Sequence, residues 1–176
     1  KRFLFLARFS SIKSPDLAIE ACKKVGVGLD LVGDRSITNE PDYYKKCESM
    51  CDGEQIRMVG PCSRGETVLW YSRAHCMIHP TKMYREPFGL APVEAQACGC
   101  PVVAWDNGAL RETVRPGETG WLVKSFDQLC EAITVAKSGV DESFRLRCQE
   151  WAKTYSVANM VNRYEELCLE ALNGGW

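Results

Sequence analysis

Short apolar runs alternate with amphipathic segments along almost the whole chain. The apolar runs predict six buried strands at residues 3–7, 29–32, 56–59, 76–78, 102–104 and 120–123. Between them, apolar residues recur at the spacing of one helix face, as Leu17, Ala18, Ala21 and Cys22 do after the first run. Strands that alternate with helices predict an α/β fold: a Rossmann-like, three-layer α/β/α arrangement around a mainly parallel six-stranded sheet.

Several helix ends carry recognisable signals. Ser14 is predicted to cap the first helix, which has Pro15 at its first position. Ser63 and Glu66 predict a capping box at the start of a later helix. Ser125 and Gln128 predict another capping box, for a helix that Gly139 ends. The remaining long helices are predicted at residues 40–51, 89–98, 141–153 and 156–172.

In parallel sheets of this kind, ligands bind beyond the carboxyl ends of the strands. The loops that follow the predicted strands are therefore the candidate site. They comprise residues 8–14, 33–35, 60–63, 79–90 and 105–112.

Two carboxylates are placed around the helix at 89–98. Glu86 precedes that helix and Glu94 lies inside it, with Pro92 confined to the first turn. Helix-start N–H groups near Phe88, Gly89 and Leu90 have no intrahelical acceptor. Such donors, together with the positive end of the helix, favour an anion or a hydroxyl-rich ligand.

Two cations follow the first strand. Arg8 and Lys13 share the loop that leads into the first helix, and this pattern is suited to a diphosphate. The sequence contains no G-x-x-x-x-G-K-S/T motif, no G-x-G-x-x-G between strand and helix, and no D-x-D pair. A phosphate ligand would therefore depend on these two cations, and we expect neither a metal nor a cofactor.

Composition narrows the alternatives. A chain of 176 residues that is 45% apolar fits one compact domain. The net charge of −1, without a basic stripe, gives no indication of a nucleic-acid partner. The ten cysteines include no C-x-x-C pair, so buried reduced thiols are expected rather than disulfides or zinc. Because the chain starts at Lys1 in a core strand, we expect it to be part of a longer protein.

The motifs together resemble a known family. R-x4-K after the first strand, the E-x7-E spacing of Glu86 and Glu94, the string EAQACGCPVVA, Glu112 and the string GETGWLV stand in that order. This set is similar to the carboxyl-terminal donor-binding domain of retaining GT-B glycosyltransferases of family four. The resemblance covers residues 3–155.

The resemblance implies transfer of a hexosyl group from a nucleotide-diphosphate sugar to an acceptor, with residues 1–176 as the donor domain and the acceptor domain absent. It implies that the catalytic residues are Arg8, Lys13 and Glu86, and that the donor-binding residues are Arg8, Lys13, Gly60, Pro61, Glu86, Phe88, Gly89, Leu90 and Glu94. The cations would hold the diphosphate, Glu94 the ribose and Glu86 the sugar. The implied location is cytoplasmic, the isolated domain would be inactive, and peripheral membrane association through the missing domain is left open.

Other interpretations stay open at this point. Glu86 and Glu94 could simply complement a helix start, and His79 could be a packed histidine instead of a ligand contact. Ala7 and Ser14 stand where the family often has glycine, which leaves the details of phosphate contact undecided. A GT-B-like sugar-nucleotide epimerase and a noncatalytic nucleotide-sugar binding module are the alternative functions.

Overall fold

The computed structural model of the protein describes residues 1–34 and 39–175. The six predicted strands are all present, to within one residue at each end. The elements are β1 (Arg2–Leu6), α1 (Pro15–Val25), β2 (Gly28–Val32), α2 (Pro41–Ser49), β3 (Ile56–Gly60), α3 (Arg64–Arg73), β4 (Cys76–His79), α4 (Leu90–Ala97), β5 (Val102–Trp105), α5 (Leu110–Thr113), β6 (Gly120–Val123), α6 (Phe126–Gly139), α7 (Glu142–Lys153) and α8 (Val157–Leu172).

The strands form one sheet in the order β3-β2-β1-β4-β5-β6, and every neighbouring pair is parallel. The chain first moves outward from β1 to β3, then returns to the other side of β1 and moves outward again from β4 to β6. The direction of winding therefore reverses between β1 and β4. A crevice forms at the carboxyl ends of two such strands because their following helices cover opposite faces.

Side chains of β1 alternate between two apolar cores. Phe3 and Phe5 pack into a cluster with Ile19 of α1 and residues of α6, whereas Leu4 joins a second cluster with Tyr71 of α3 and residues of α4. Both faces of the sheet are thus covered, as the continuous apolar runs require. The predicted α/β class, with a Rossmann-like three-layer arrangement, is confirmed.

Two helix predictions need correction. The helix predicted at 40–51 is the shorter α2, Pro41–Ser49. Ser14 occupies the N-cap position of α1, but its predicted side-chain cap is wrong. The backbone of Ser14 is left-handed, with φ 52°, and its hydroxyl donates to the carbonyl of Ser11 at 2.9 Å instead of accepting from the helix. The capping box of Ser63 and Glu66 is confirmed.

The last helix contributes no buried residue. Its apolar side chains face solvent, among them Val157, Met160 and Tyr164. The predicted helix is present, but α7 is the last helix with buried residues. All ten cysteines are free thiols, as expected, and six of them are buried.

Gly33, directly after β2, lies very close to Ala7 after β1 and to Gly60 at the end of β3. Its N–H donates to the carbonyl of Gly60 at 2.9 Å, while a Cβ at this position would lie 1.8 Å from the carbonyl oxygen of Ala7. Only glycine fits that space without displacing the backbone that leads into Arg8. The candidate loop at 33–35 extends to Arg35, which lies outside the described residues.

We predict that Gly33→Ala lowers the free energy of unfolding by about 1–3 kcal/mol, since the methyl group cannot be accommodated against Ala7. Gly65→Ala is the matched control: nothing lies within 4 Å of a Cβ there and the residue is in α3, so about 0.5–1 kcal/mol of stabilisation is expected. Urea denaturation of both variants measures the difference. Effects of the same sign would show that Gly33 is not held by this contact.

Candidate functional site

A cleft of about 440 Å³ opens at the carboxyl ends of β1 and β4. It lies at the reversal of winding, between the loop that follows β1 and the loop that follows β4. The predicted site residues on its wall are Arg8, Lys13, Glu86, Phe88, Gly89, Leu90 and Glu94. Tertiary folding therefore brings together both predicted cations and both predicted carboxylates.

Gly60 and Pro61 stand apart from this group. Gly60 ends β3, at the same edge of the sheet but beyond β2, and neither residue lines the cleft. Among the described residues, Gly60 is linked to the site indirectly, through the bond that its carbonyl accepts from Gly33.

In the loop after β1, Lys13 is mostly buried and Arg8 is exposed. The N–H groups of Lys13 and Ser14 both donate to the carbonyl of Ser10, at 3.0 and 3.1 Å, which closes a tight turn. Lys13 is turned inward, with 15% of its side chain exposed. Arg8 is exposed at the cleft, and within residues 1–34 and 39–175 it has no ion pair or side-chain hydrogen bond. Its guanidinium donors are available to a ligand.

Glu86 is the most strongly engaged acid in the cleft. Its Oε2 accepts from Lys13 Nζ at 2.6 Å and lies 3.3 Å from His79 Nε2. These contacts, the one from His79 first, lower the pKa of Glu86 to about 2 although partial burial opposes them. Glu86 is therefore ionised at neutral pH, and its pairing stabilises the fold above the ordinary carboxyl pKa and is lost as the pH falls towards 2.

His79 lies beneath Glu86 at the end of β4. It is 3% exposed, and its Nε2 is also 3.2 Å from the hydroxyl oxygen of Thr81. Burial lowers the pKa of His79, although its hydrogen bond to Glu86 opposes this. The imidazole is therefore neutral at pH 7, and Lys13 supplies the positive charge beside Glu86.

Glu94 occupies the middle of α4 and faces the cleft as an exposed carboxylate. The hydroxyl of Tyr71, buried in the second core, donates to its Oε2 at 3.4 Å. Burial raises the pKa of Tyr71, so the phenol keeps its proton and acts as a donor. The contact is long for a hydrogen bond, and most of the Glu94 carboxylate is free to accept others.

The start of α4 points into the cleft. Gly89 is its N-cap, with a left-handed φ of 85° and no side-chain cap. Leu90 is 67% exposed and Phe88 39% exposed, with the Phe88 ring edge-on to Tyr155 at 5.7 Å between centroids. The helix end therefore offers backbone N–H donors and a positive partial charge beside Glu86.

The loop after β5 holds the Glu86 loop in place. The Asn107 amide donates to the carbonyls of Lys82 and Tyr84, at 3.2 and 2.8 Å. The Ala109 N–H donates to the Glu86 carbonyl at 2.9 Å. A Cβ on Gly108 would lie 2.3 Å from that same carbonyl oxygen. This close approach fixes the backbone on which the Glu86 carboxylate is mounted.

The sequence left several contributors out of the site. The sequence leaves His79 open between a packed residue and a ligand contact, and only its position at a strand end in a candidate loop favours the second. No sequence signal indicates Tyr71, because it lies on the buried face of a helix, away from every candidate loop. Asn107 to Ala109 fall in the candidate loop at 105–112, but their bonds to the Glu86 loop depend on tertiary contact.

A second groove, of about 560 Å³, lies against α7 near the opposite edge of the sheet. Its charges are largely satisfied: Arg115 pairs with Glu118 at 3.5 Å and its guanidinium lies 3.6 Å from the Trp151 ring centre. Although larger, this groove holds none of the predicted site residues. Over the described ranges no helix is long and apolar enough to cross a membrane, and no group of three metal-binding side chains is found.

Comparison with known proteins identifies the family. The model of the family described as Glycosyl transferases group 1 matches residues 1–154. D-inositol 3-phosphate glycosyltransferase 1 of Catenulispora acidiphila is 33% identical over 98% of this chain and 44% of its own length. The corresponding enzyme of Thermobifida fusca is 33% identical over 70% of this chain and 31% of its own length.

Solved structures share the fold. Anabaena HepE in complex with UDP and glucose superposes with a TM-score of 0.81 at 21% identity, over 96% of this chain and 48% of that one. A glycosyltransferase from Rickettsia africae gives a TM-score of 0.84 at 22% identity, over 97% and 47%. The chain spans less than half the length of each of these four proteins. With a family model that matches most of its residues, the chain belongs to the group 1 family of glycosyl transferases.

Proposed function

We propose that this chain is the donor-binding half of a retaining glycosyltransferase, which transfers a hexosyl group from a nucleotide-diphosphate sugar. The observation that carries the proposal is the convergence of Arg8, Lys13, Glu86 and Glu94 on one cleft. These residues come from two loops and a helix that are up to 86 positions apart in sequence (94 − 8). Two cations and two acids in one crevice suit a ligand with both phosphates and hydroxyl groups.

The diphosphate is assigned to Arg8 and Lys13. Arg8 offers a forked guanidinium that matches phosphate oxygens. Lys13 already donates to Glu86, but an ammonium group has three donors and keeps two for phosphate. The start of α4 adds backbone N–H groups and a positive partial charge. The proposal assigns charge neutralisation to these protein groups and includes no metal or cofactor.

The nucleoside and the sugar are assigned to either side of the diphosphate. Glu94, with an exposed carboxylate, accepts from the ribose hydroxyls, and the base extends towards Gly60 and Pro61 at the end of β3. Glu86 contacts the transferred sugar, with the backbone of Phe88, Gly89 and Leu90 beside it. An ionised Glu86 only accepts hydrogen bonds, so the sugar hydroxyls would donate to it.

The proposed chemistry follows from charge. Cleavage of the sugar–phosphate bond leaves negative charge on the departing oxygen while the anomeric carbon becomes cation-like, so fixed cations at the phosphate stabilise the transition state. Retention of configuration is assigned to attack from the same face, in which the departing phosphate takes the acceptor proton. Glu86 then orients the sugar and stabilises positive charge without attacking.

The relatives support parts of this proposal. Two carry the name D-inositol 3-phosphate glycosyltransferase, and one structure of similar fold contains UDP and glucose. Because the chain spans less than half of these relatives, the acceptor is assigned to a partner domain and the chain by itself is expected to be inactive. A cytoplasmic location is part of the proposal, since free thiols persist in a reducing compartment.

We predict that Glu94→Ala weakens the binding of the preferred nucleotide among UDP, GDP and ADP by at least about tenfold, because hydrogen bonds to a charged acceptor are lost. Calorimetry on the wild-type chain and the variant measures this. Glu131→Ala, on the exposed face of α6 outside the cleft, is the control and should bind as the wild type does. Equal affinities of all three proteins would place the nucleotide elsewhere.

We predict that Glu86→Gln costs turnover much more than nucleotide affinity. In the complete enzyme kcat should fall by about 100-fold or more, while the Kd of the nucleotide changes by less than about threefold, because Lys13 keeps its charge. Steady-state kinetics and calorimetry separate the two. A covalent sugar trapped on Glu86 would refute the orienting role, and turnover of the donor without any acceptor would favour the epimerase alternative.

We predict that Gly108→Ala impairs nucleotide-sugar binding through Glu86. The added methyl group would meet the Glu86 carbonyl and shift the loop, at a cost of about 1–3 kcal/mol in stability. Gly53→Ala is the matched control, because its φ of 80° is also left-handed but nothing lies within 4 Å of its Cβ. It should lose about 1 kcal/mol of stability and bind normally. Unaltered binding by Gly108→Ala would contradict the role of this contact.

A further inference from the structure

His79 contributes a buried polar group that the proposed function does not use. Its side chain is 4% exposed, and it forms part of the cleft wall beside Glu86. Its Nε2 stands between two oxygens, 3.3 Å from Glu86 Oε2 and 3.2 Å from Thr81 Oγ1. Thr81 is itself completely buried.

The chemistry of the two oxygens decides where the imidazole proton lies. An ionised carboxylate has no proton to donate, so Nε2 must carry the hydrogen if it is bonded to Glu86. With the hydrogen on Nδ1, a lone pair of Nε2 would instead face the Glu86 oxygen, which is repulsive. A neutral imidazole protonated at Nε2 satisfies Glu86 and lets the Thr81 hydroxyl oxygen share the same donor.

The two bonds to Glu86 converge on one atom. Lys13 Nζ and His79 Nε2 both contact Oε2, so Oε1 is the carboxylate oxygen not used by either. A carboxylate oxygen has two lone pairs in the carboxylate plane, and two donors fill those of Oε2. The carboxylate is then held in one rotamer, with Oε1 available to a ligand.

Lys13 and His79 differ in how they respond to an anion. Lys13 is a cation at the cleft wall, and a bound diphosphate would share its donors with Glu86. His79 is uncharged and 3% exposed at the end of β4, so a bound diphosphate does not attract it. Once phosphate is bound, His79 is the donor to Oε2 that the phosphate does not also engage.

We propose that His79, together with Thr81, is a positioning residue that holds Oε2 of Glu86 and so presents Oε1 to the hydroxyl groups of the donor sugar. The identity of the ligand rests on the proposed function above, whereas the state of the imidazole does not. His79 does not touch the reacting atoms, and its effect on the sugar passes through Glu86.

The first test needs no ligand. The chain has only two histidines, so ¹⁵N-histidine labelling gives two imidazoles, and His75 serves as an internal reference because its Nε2 is 2.8 Å from the carbonyl of Ala136. Two-bond ¹H–¹⁵N spectra at pH 7 should show both rings neutral and protonated at Nε2. A proton on Nδ1 of His79 would overturn the proposal.

The second test compares two substitutions at residue 79. His79→Gln keeps an N–H donor at a similar distance from the backbone, whereas His79→Leu removes it. The Glu86 carboxyl, followed by ¹³C chemical shift, should titrate at a higher pH in His79→Leu than in the wild type and close to the wild type in His79→Gln. The same titration in all three would show that His79 does not hold Glu86. If His79→Leu does not fold, the tautomer of the wild-type His79 ring and the Glu86 titration in His79→Gln still test whether His79 holds Glu86.

The third test measures the sugar contribution to binding. Calorimetry with UDP and UDP-glucose, and with GDP and GDP-mannose, gives the ratio of affinities with and without a sugar for each protein. His79→Leu should lower that ratio by about three- to tenfold, as loss of one hydrogen bond implies, with UDP or GDP affinity unchanged to within about threefold. His79→Gln should restore most of it.

The outcomes separate the two proposals. If none of the nucleotides binds the wild-type chain, the proposed function fails. The imidazole and carboxyl measurements still test whether His79 holds Glu86. If nucleotides bind and the ratio is the same in His79→Leu and the wild type, the function stands and the positioning role is wrong.

Discussion

The reversal of winding between β1 and β4 is the constraint on which this structure depends. Because α1 follows β1 on one face of the sheet and α4 follows β4 on the other, the two loops that connect them diverge and leave a cleft at the sheet edge. Arg8 and Lys13 enter the cleft from the first loop, and Glu86 enters from the second. The site is therefore a consequence of strand order, and residues that are far apart in sequence meet because their strands are neighbours.

Charged groups within the cleft compensate one another. Glu86 is largely buried and would be destabilised as an anion, but the Lys13 ammonium and the neutral His79 ring both contact Oε2 and keep it ionised. Arg8, by contrast, is exposed at the rim. The cleft thus pairs one cation internally and leaves one available, which suits a ligand that is itself anionic.

Glycine positions set the precision of this arrangement. Gly33 allows the backbone before Arg8 to lie against β2, and Gly108 allows the loop after β5 to contact the Glu86 carbonyl directly. In both cases a single methyl group would occupy space already filled by a carbonyl oxygen. Ser14, beside Lys13, has a left-handed φ although it is not glycine. The hydrogen bond from its hydroxyl to the carbonyl of Ser11 helps to hold that conformation.

The sequence by itself determined the six strands, the α/β class and the elements that carry Arg8, Lys13, Glu86 and Glu94, because local periodicity and helix-end signals depend on neighbouring residues. It did not determine that Ser14 is left-handed, that Tyr71 and His79 contact the two acids, or that Asn107, Gly108 and Ala109 secure the Glu86 loop. Those contacts join residues that different strands bring to one edge of the sheet. They form only when the strands are paired in their final order and each helix packs on its own face of the sheet.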